Sequence, residues 1–184
     1  GLGYNRRAKY LHEAAKQITH QYNGVFPKTK PELRTLPGVG DSTAGAILAY
    51  AFNRPAIFIE TNVRTVYFYH FFSGGEKVRD SELVSLMKTT VDREHPREFY
   101  WALMDYGTWL KKNGAGAVSQ SQHYKKQLAL KGSLREMRGI IVRTLTAGDK
   151  FDALREDDRF MAALEGLVRD GLVVRRGTKL HLTK

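Results

Sequence analysis

Leu36-Pro37-Gly38-Val39-Gly40-Asp41-Ser42-Thr43-Ala44-Gly45-Ala46-Ile47 is the stretch whose reading decides the fold. Pro37 and two glycines interrupt a helical pattern that resumes on both sides. The spacing predicts a short helix over Lys30 to Leu36, with Pro31 in its first turn, and a second from Asp41 to about Phe52. Gly38 and Gly40 permit backbone conformations and close approaches that a Cβ blocks. The amide N–H groups of the following helix start then point outward, as an anion such as a DNA phosphate requires. Such contacts hold a duplex without reading its sequence. From the glycines alone, an ordinary helix–turn–helix corner broken by Pro and Gly is the simpler account.

Working outward, Ala8, Leu11, Ala14, Ala15 and Ile18 recur at helical spacing within Asn5 to Gln21, and Asn23-Gly24 ends that helix. Arg6, Arg7 and Lys9 between them face either DNA or solvent. Asn53-Arg54-Pro55 breaks the chain, and Ala56 to Ile59 reads as a buried connection. Helices follow over Asn62 to Phe72, Asp80 to about Val91 and Pro96 to Lys112. Residues 113–132 are rich in Gly, Ser, Gln and Lys and read as a connector with little core of its own. From Ser133 the order is a helix to Leu145, a turn at Phe151 to Arg155, a helix over Asp158 to Asp170, and an alternating stretch from Leu172 to Leu182 that predicts a hairpin. That order is similar to a winged helix. The expected fold is mainly α, with a core over 1–112, a connector over 113–132 and a winged-helix-like domain over 133–184.

Thirty Lys and Arg against 19 Asp and Glu leave a net charge of +11, which favours a polyanionic partner, although solubility alone also explains such a balance. The absence of cysteine excludes disulfides, thiolate catalysis and Cys-ligated zinc or iron–sulfur clusters within this chain. His12, His20, His70, His95, His123 and His181 form no i, i+4 pair, so neither a metal nor a cofactor is expected. Tyr67, Phe68, Tyr69, Phe71, Phe72, Phe99, Tyr100, Trp101 and Trp109 read as core rather than as a base-stacking platform. Apolar runs are too short for a membrane span and no basic-then-apolar leader opens the chain, so the expectation is an intracellular monomer, cytoplasmic or nucleoid-associated. The opening Gly1-Leu2-Gly3-Tyr4, without Met, reads as the continuation of an upstream segment.

Leu-Pro-Gly-Val-Gly followed by Ser-Thr-Ala-Gly-Ala-Ile closely resembles the helix-hairpin-helix of the endonuclease III and MutY superfamily of DNA glycosylases, nearer to the MutY branch. The resemblance implies that Gly38, Val39, Gly40, Ser42 and Thr43 meet the backbone of double-stranded DNA. Bifunctional members carry a lyase lysine where Ser42 stands, so strand cleavage through a Schiff base is not expected. Asp41 departs from the basic residue often found there, and its charge opposes a phosphate. Gly1-Leu2-Gly3-Tyr4 is similar to the segment whose Tyr wedges beside an extruded nucleotide, which makes Tyr4 the matching position; a Tyr capping a core is the alternative.

Ile59-Glu60-Thr61-Asn62-Val63 aligns with the Asp-Gly-Asn-Val segment of MutY-type enzymes, so the resemblance implies that Glu60 takes the place of the catalytic Asp. N-glycosidic cleavage develops positive charge on the deoxyribose, and a nearby carboxylate stabilises or captures it. Glu is one methylene longer, which displaces its carboxylate unless the backbone compensates. Glu60 also reads as a simple N-cap of the next helix. Asn62 matches the family Asn, while Arg64 either contacts phosphate or pairs locally. The family's second glutamate, which protonates the leaving adenine, would lie upstream of Gly1. Met104-Asp105-Tyr106-Gly107 resembles the Met-Asp-Leu-Gly helix that precedes a four-Cys cluster loop in many members, but no Cys follows here.

Taken together, these residues imply a monofunctional glycosylase that excises a flipped purine, adenine opposite guanine or 8-oxoguanine above all. The alternatives are a noncatalytic helix-hairpin-helix DNA-binding protein and a glycosylase for another damaged base. The tail, with Arg175, Arg176 and Lys179, is either a second DNA-binding element or a small interaction domain.

Overall fold

The computed structural model describes residues 5–72, 77–115, 118–122, 124, 126, 129–149, 151–177 and 179–183. They form α1 (Asn5–Gln21), α2 (Lys30–Thr35), α3 (Asp41–Phe52), α4 (Thr61–Phe71), α5 (Asp80–Thr90), α6 (Pro96–Lys112), α7 (Leu134–Ala147) and α8 (Arg159–Arg169). Short 3-10 turns at Val118–Gln120 and Asp152–Leu154 and an antiparallel pair, β1 (Val173–Arg176) with β2 (Lys179–Leu182), complete the described elements. The chain is mainly helical, and two compact units divide it: Glu13–Lys125, and Gly1–His12 with Lys126–Lys184.

In the unit Glu13–Lys125, α2 begins with a reciprocal cap. The Thr29 hydroxyl accepts from the Glu32 amide, and the Glu32 carboxylate accepts from the Thr29 amide at 3.1 Å. Leu33 and Leu36 of this hairpin pack with Ala14, Ala44 and Leu48 in one small core. A second, larger core holds Phe58, Val63, Tyr67, Phe68, Leu83, Met87, Tyr100 and Leu103, where α4 lies against α6. Asn53 ends α3 in the left-handed region at φ 49°, returning its amide to Leu48 and Ala49.

Ala56 to Ile59 is a connection in which Phe58 is buried and its three neighbours are half-buried, against a wholly buried segment expected from its apolar run, and Tyr100 holds it. The Tyr100 hydroxyl donates to the Ala56 carbonyl at 2.8 Å and accepts from the Phe58 amide at 3.4 Å, while its ring stacks on Phe58 at 4.0 Å. Burial pushes the Tyr100 phenol up to about 12, so it remains a neutral donor at all physiological pH values. Tyr100→Phe keeps the packing and strands two backbone groups, so unfolding in urea should show a loss of about 1–3 kcal/mol. An unchanged midpoint would show that the Ala56–Ile59 segment does not depend on this hydroxyl.

The connector carries structure that its composition does not announce. Residues at its centre return to the start of α5: Val78 donates to the Gln120 carbonyl at 2.8 Å and accepts from the Gln122 amide at 3.1 Å. Ser121, bridged to Val78, is buried. The aromatic residues divide, against the expectation of a uniform core. Tyr67, Phe68 and Tyr100 are buried, whereas Tyr69, Phe71, Trp101 and Trp109 stand about half exposed or more. α4 is aromatic around much of its circumference, but only one face of a helix can meet α6.

In the other unit, α7, α8 and the hairpin enclose Met137, Ile141, Phe160, Leu164, Leu167 and Val173. Ser133 caps α7 by accepting from the Glu136 amide, and Gly148 closes it at φ 75°. Arg159 spans Asp157 and Glu136 at 2.7 and 3.0 Å, which holds the Asp157 carboxyl down at about 2. Asp170 pairs with Arg138 at 2.6 Å and Arg6 at 3.7 Å, and its carbonyl accepts from Lys9 at 3.2 Å. Arg6 and Lys9 at the start of α1 therefore bond within the protein.

Candidate active site and hairpin

Gly38 adopts φ 76°, the left-handed region that favours glycine, and turns the chain between α2 and α3. The Val39 amide closes this turn on the Leu36 carbonyl at 3.0 Å, and its side chain joins the small core. Val39 is thus the anchor of the hairpin. Gly38, Gly40, Ser42 and Thr43 are exposed around it. Gly40 stands at the N-cap of α3 without a side chain, so no side-chain oxygen covers the first turn of that helix.

Asp41 does not face this surface as a free charge. Lys30 bonds it at 2.8 Å and Arg34 lies 3.8 Å away, and the Lys30 bond foremost holds its carboxyl below the usual carboxylate range. The repulsion expected from the sequence is offset by two cations contributed by α2, a pairing that the separation of 11 residues between Lys30 and Asp41 concealed.

From the exposed turn, α3 leads directly to Glu60. The Ser42 hydroxyl donates to the Ile59 carbonyl at 3.3 Å, and Gly45 lies against Phe58, where an added Cβ would stand 2.8 Å from the Phe58 Cβ. Glu60, half-buried, is the N-cap of α4; its Oε1 accepts from the Asn62 and Val63 amides, the latter at 2.9 Å. Oε2 makes no hydrogen bond among the described residues. Tyr50 of α3 lies close enough that the Glu60 charge adds to burial in raising its phenol pKa. Ser42, near the start of α3, is thus tied to the residue before Glu60, while Tyr50, two turns further along α3, lies within electrostatic reach of Glu60.

Gly107 of α6 sets the far wall. An added Cβ there would meet the Asn62 Cβ and carbonyl oxygen, each at 2.7 Å, so only glycine admits this crossing of α6 over the first turn of α4. Asn62 donates to the Met104 sulfur at 3.6 Å, and its Oδ1 is buried without a hydrogen-bond partner among the described residues. Arg64 faces α5, bonding both oxygens of Asp80 at 2.8 and 2.7 Å. The pairing is with a residue of another helix, 16 positions away along the chain. Asp105 is exposed on α6. Tyr4 lies outside the described residues.

Gly107, Gly45, Tyr50 and the Lys30–Arg34 pair are the site residues that sequence reasoning missed. Met-Asp-Tyr-Gly was visible, but which helix its glycine faces is a property of the packing. Among the described residues, no group of three His, Asp or Glu side chains is placed to hold a metal, and no helix is long and apolar enough to cross a membrane.

Residues 21–50 match the helix-hairpin-helix motif. Over 201 aligned residues the chain is 30% identical to an adenine DNA glycosylase of Mycobacterium tuberculosis, covering 95% of this chain and 66% of that protein. An adenine DNA glycosylase of Buchnera aphidicola subsp. Baizongia pistaciae is 34% identical over 108 residues, 58% of this chain and 31% of the relative. Endonuclease III of Bacillus subtilis is 40% identical over 63 residues, 34% of this chain and 29% of the relative. The chain thus spans from about a third to about two thirds of the length of these two adenine DNA glycosylases. A glycine-turned hairpin, a carboxylate at the next helix start and a likeness along nearly the whole chain agree: the chain belongs to the helix-hairpin-helix DNA glycosylase superfamily, in its MutY-type branch.

Proposed function

We propose that this chain carries the DNA-gripping hairpin and a catalytic carboxylate of a base-excision-repair glycosylase that hydrolyses the N-glycosidic bond of a flipped purine, adenine opposite guanine or 8-oxoguanine. The observation that carries the reading is Glu60. One oxygen is fixed by two amides at the start of α4, the other makes no hydrogen bond among the described residues, and Ser42 at the exposed end of the hairpin is tied to the residue before Glu60. A carboxylate so oriented stabilises the positive charge that develops on the sugar as the base departs. Capping and catalysis use different oxygens of the same group and do not exclude each other.

Gly38, Gly40, Ser42 and Thr43 would hold the backbone of double-stranded DNA through amides and a hydroxyl, leaving base choice to the pocket. Ser42 supplies no amine for a Schiff base, which makes hydrolysis without strand cleavage the expected outcome. In this reading 1–112 is the glycosylase core, 113–132 the connector and 133–184 a winged-helix-like domain, with the protein acting as a monomer. A noncatalytic DNA-binding protein is the second reading, favoured by the cap that Glu60 already provides and by the pairing of Arg64 with Asp80.

Single-turnover base release decides between them, using the full reading frame that contains this chain and duplexes with adenine opposite 8-oxoguanine, adenine opposite guanine, and a panel of other damaged bases. Release of adenine without strand scission is expected. Tight duplex binding with no release from any substrate would establish the noncatalytic reading, and release of a different base would replace the substrate.

A further inference from the structure

The hairpin at the end of the chain concentrates charge in a way that folding alone does not favour. Arg176 and Lys179 are directly opposed across β1 and β2, both exposed, and like charges in that position destabilise a two-stranded sheet. On the opposite face of the hairpin, Arg155 and Arg175 line one cavity of about 400 Å³ whose apolar wall is Phe160, Met161, Leu164 and Leu180. None of these four cations is in an ion pair among the described residues. Of the carboxylates of the same unit, Asp157 and Glu136 pair with Arg159 and Asp170 pairs with Arg138 and Arg6, while Glu156 and Asp158, which flank the turn after Arg155, are exposed and in no ion pair among the described residues. The two pairs of cations, one on each face of one small hairpin, are both met by an extended anion that passes over its tip.

We infer that the β1–β2 hairpin with Arg155 is a second DNA-backbone contact of this protein, independent of the glycine hairpin and of the base-removal chemistry. Phosphates of a strand passing over the hairpin tip give such an anion: one meets Arg176 and Lys179 on one face while a neighbour reaches Arg155 and Arg175 on the other. The element reads phosphate alone, so it adds affinity without sequence preference. The inference rests on DNA being the partner, not on Glu60 being catalytic.

Binding of the full chain to an undamaged duplex, followed by anisotropy from about 50 to 200 mM salt, tests it without any base release. Replacing Arg155, Arg175, Arg176 and Lys179 together by Ala should flatten the slope of log affinity against log salt by about 0.9 for each phosphate no longer neutralised, roughly 2 in total. Arg176→Glu supplies the second readout. It creates an opposite-charge pair with Lys179, so the thermal midpoint should hold or rise while DNA affinity falls about tenfold. An unchanged salt slope in the fourfold variant would overturn the inference. So would preferential loss of binding to a polyglutamate peptide with the DNA slope intact, which would assign the patch to an acidic polypeptide.

Discussion

Glu60→Gln is expected to lower single-turnover base release by about 10²–10³-fold while leaving the fold and duplex affinity close to those of the parent. Gln retains an acceptor oxygen for the Asn62 and Val63 amides, so the cap of α4 survives. What it loses is the negative charge facing the developing cation. Glu60→Ala separates the two duties, because it removes the cap as well and should cost about 1 kcal/mol in urea unfolding. Glu60→Asp restores the family's residue and shortens the reach by one methylene; if the backbone here has adjusted to Glu, release should fall rather than rise. Base release by Glu60→Gln at the parent rate would reduce Glu60 to a structural cap and remove it from the chemistry.

The second large effect is expected at Gly107, which is buried between helices and has no side chain to offer a substrate. Gly107→Ala places a Cβ 2.7 Å from two atoms of Asn62 and 2.9 Å from its Cα, and two of those three atoms belong to the backbone. Neither helix can absorb this by rotating a side chain, so α6 and the first turn of α4 must separate. Overpacking of this kind costs about 1–3 kcal/mol. The displacement falls on the residue whose amide orients Glu60. A shift approaching 1 Å at a catalytic group lowers a rate by about 10²-fold, so the variant should be impaired in base release even under conditions where it is fully folded. Loss of stability with a normal rate in the folded protein would show that Gly107 serves packing alone.

The hairpin and the helices were legible because their signals are local. Pro and Gly at 37, 38 and 40 stop one helix and start another, and the bounds expected for Asn5 to Gln21, Asp41 to Phe52 and Pro96 to Lys112 coincide with α1, α3 and α6. Glu60 was legible as a candidate because a carboxylate before Thr-Asn-Val matches a family segment, and also because N-caps have a recognisable chemistry. The exposure of Trp109 and Phe71 was not legible, since periodicity marks an apolar face without saying whether a neighbour covers it. The centre of the connector was not legible either; its attachment to Val78 uses backbone hydrogen bonds, which leave no trace in composition.

By itself, the sequence determined the element order, the superfamily, the basic character and the position of the one carboxylate on which the proposed chemistry turns. Each of these rests on residues adjacent in the chain or on charges that can be summed. Tertiary structure alone decided that Lys30 and Arg34 offset Asp41, that Arg64 answers Asp80, that Tyr100 fixes Ala56, and that Gly45 brings α3 against the segment leading into α4 while Gly107 brings α6 against its first turn. The partners in these pairings are separated along the chain by whole turns or whole helices. They meet only after the apolar faces of α3, α4 and α6 are buried together, because burial sets which faces approach and the side chains pair with whatever that approach brings within reach.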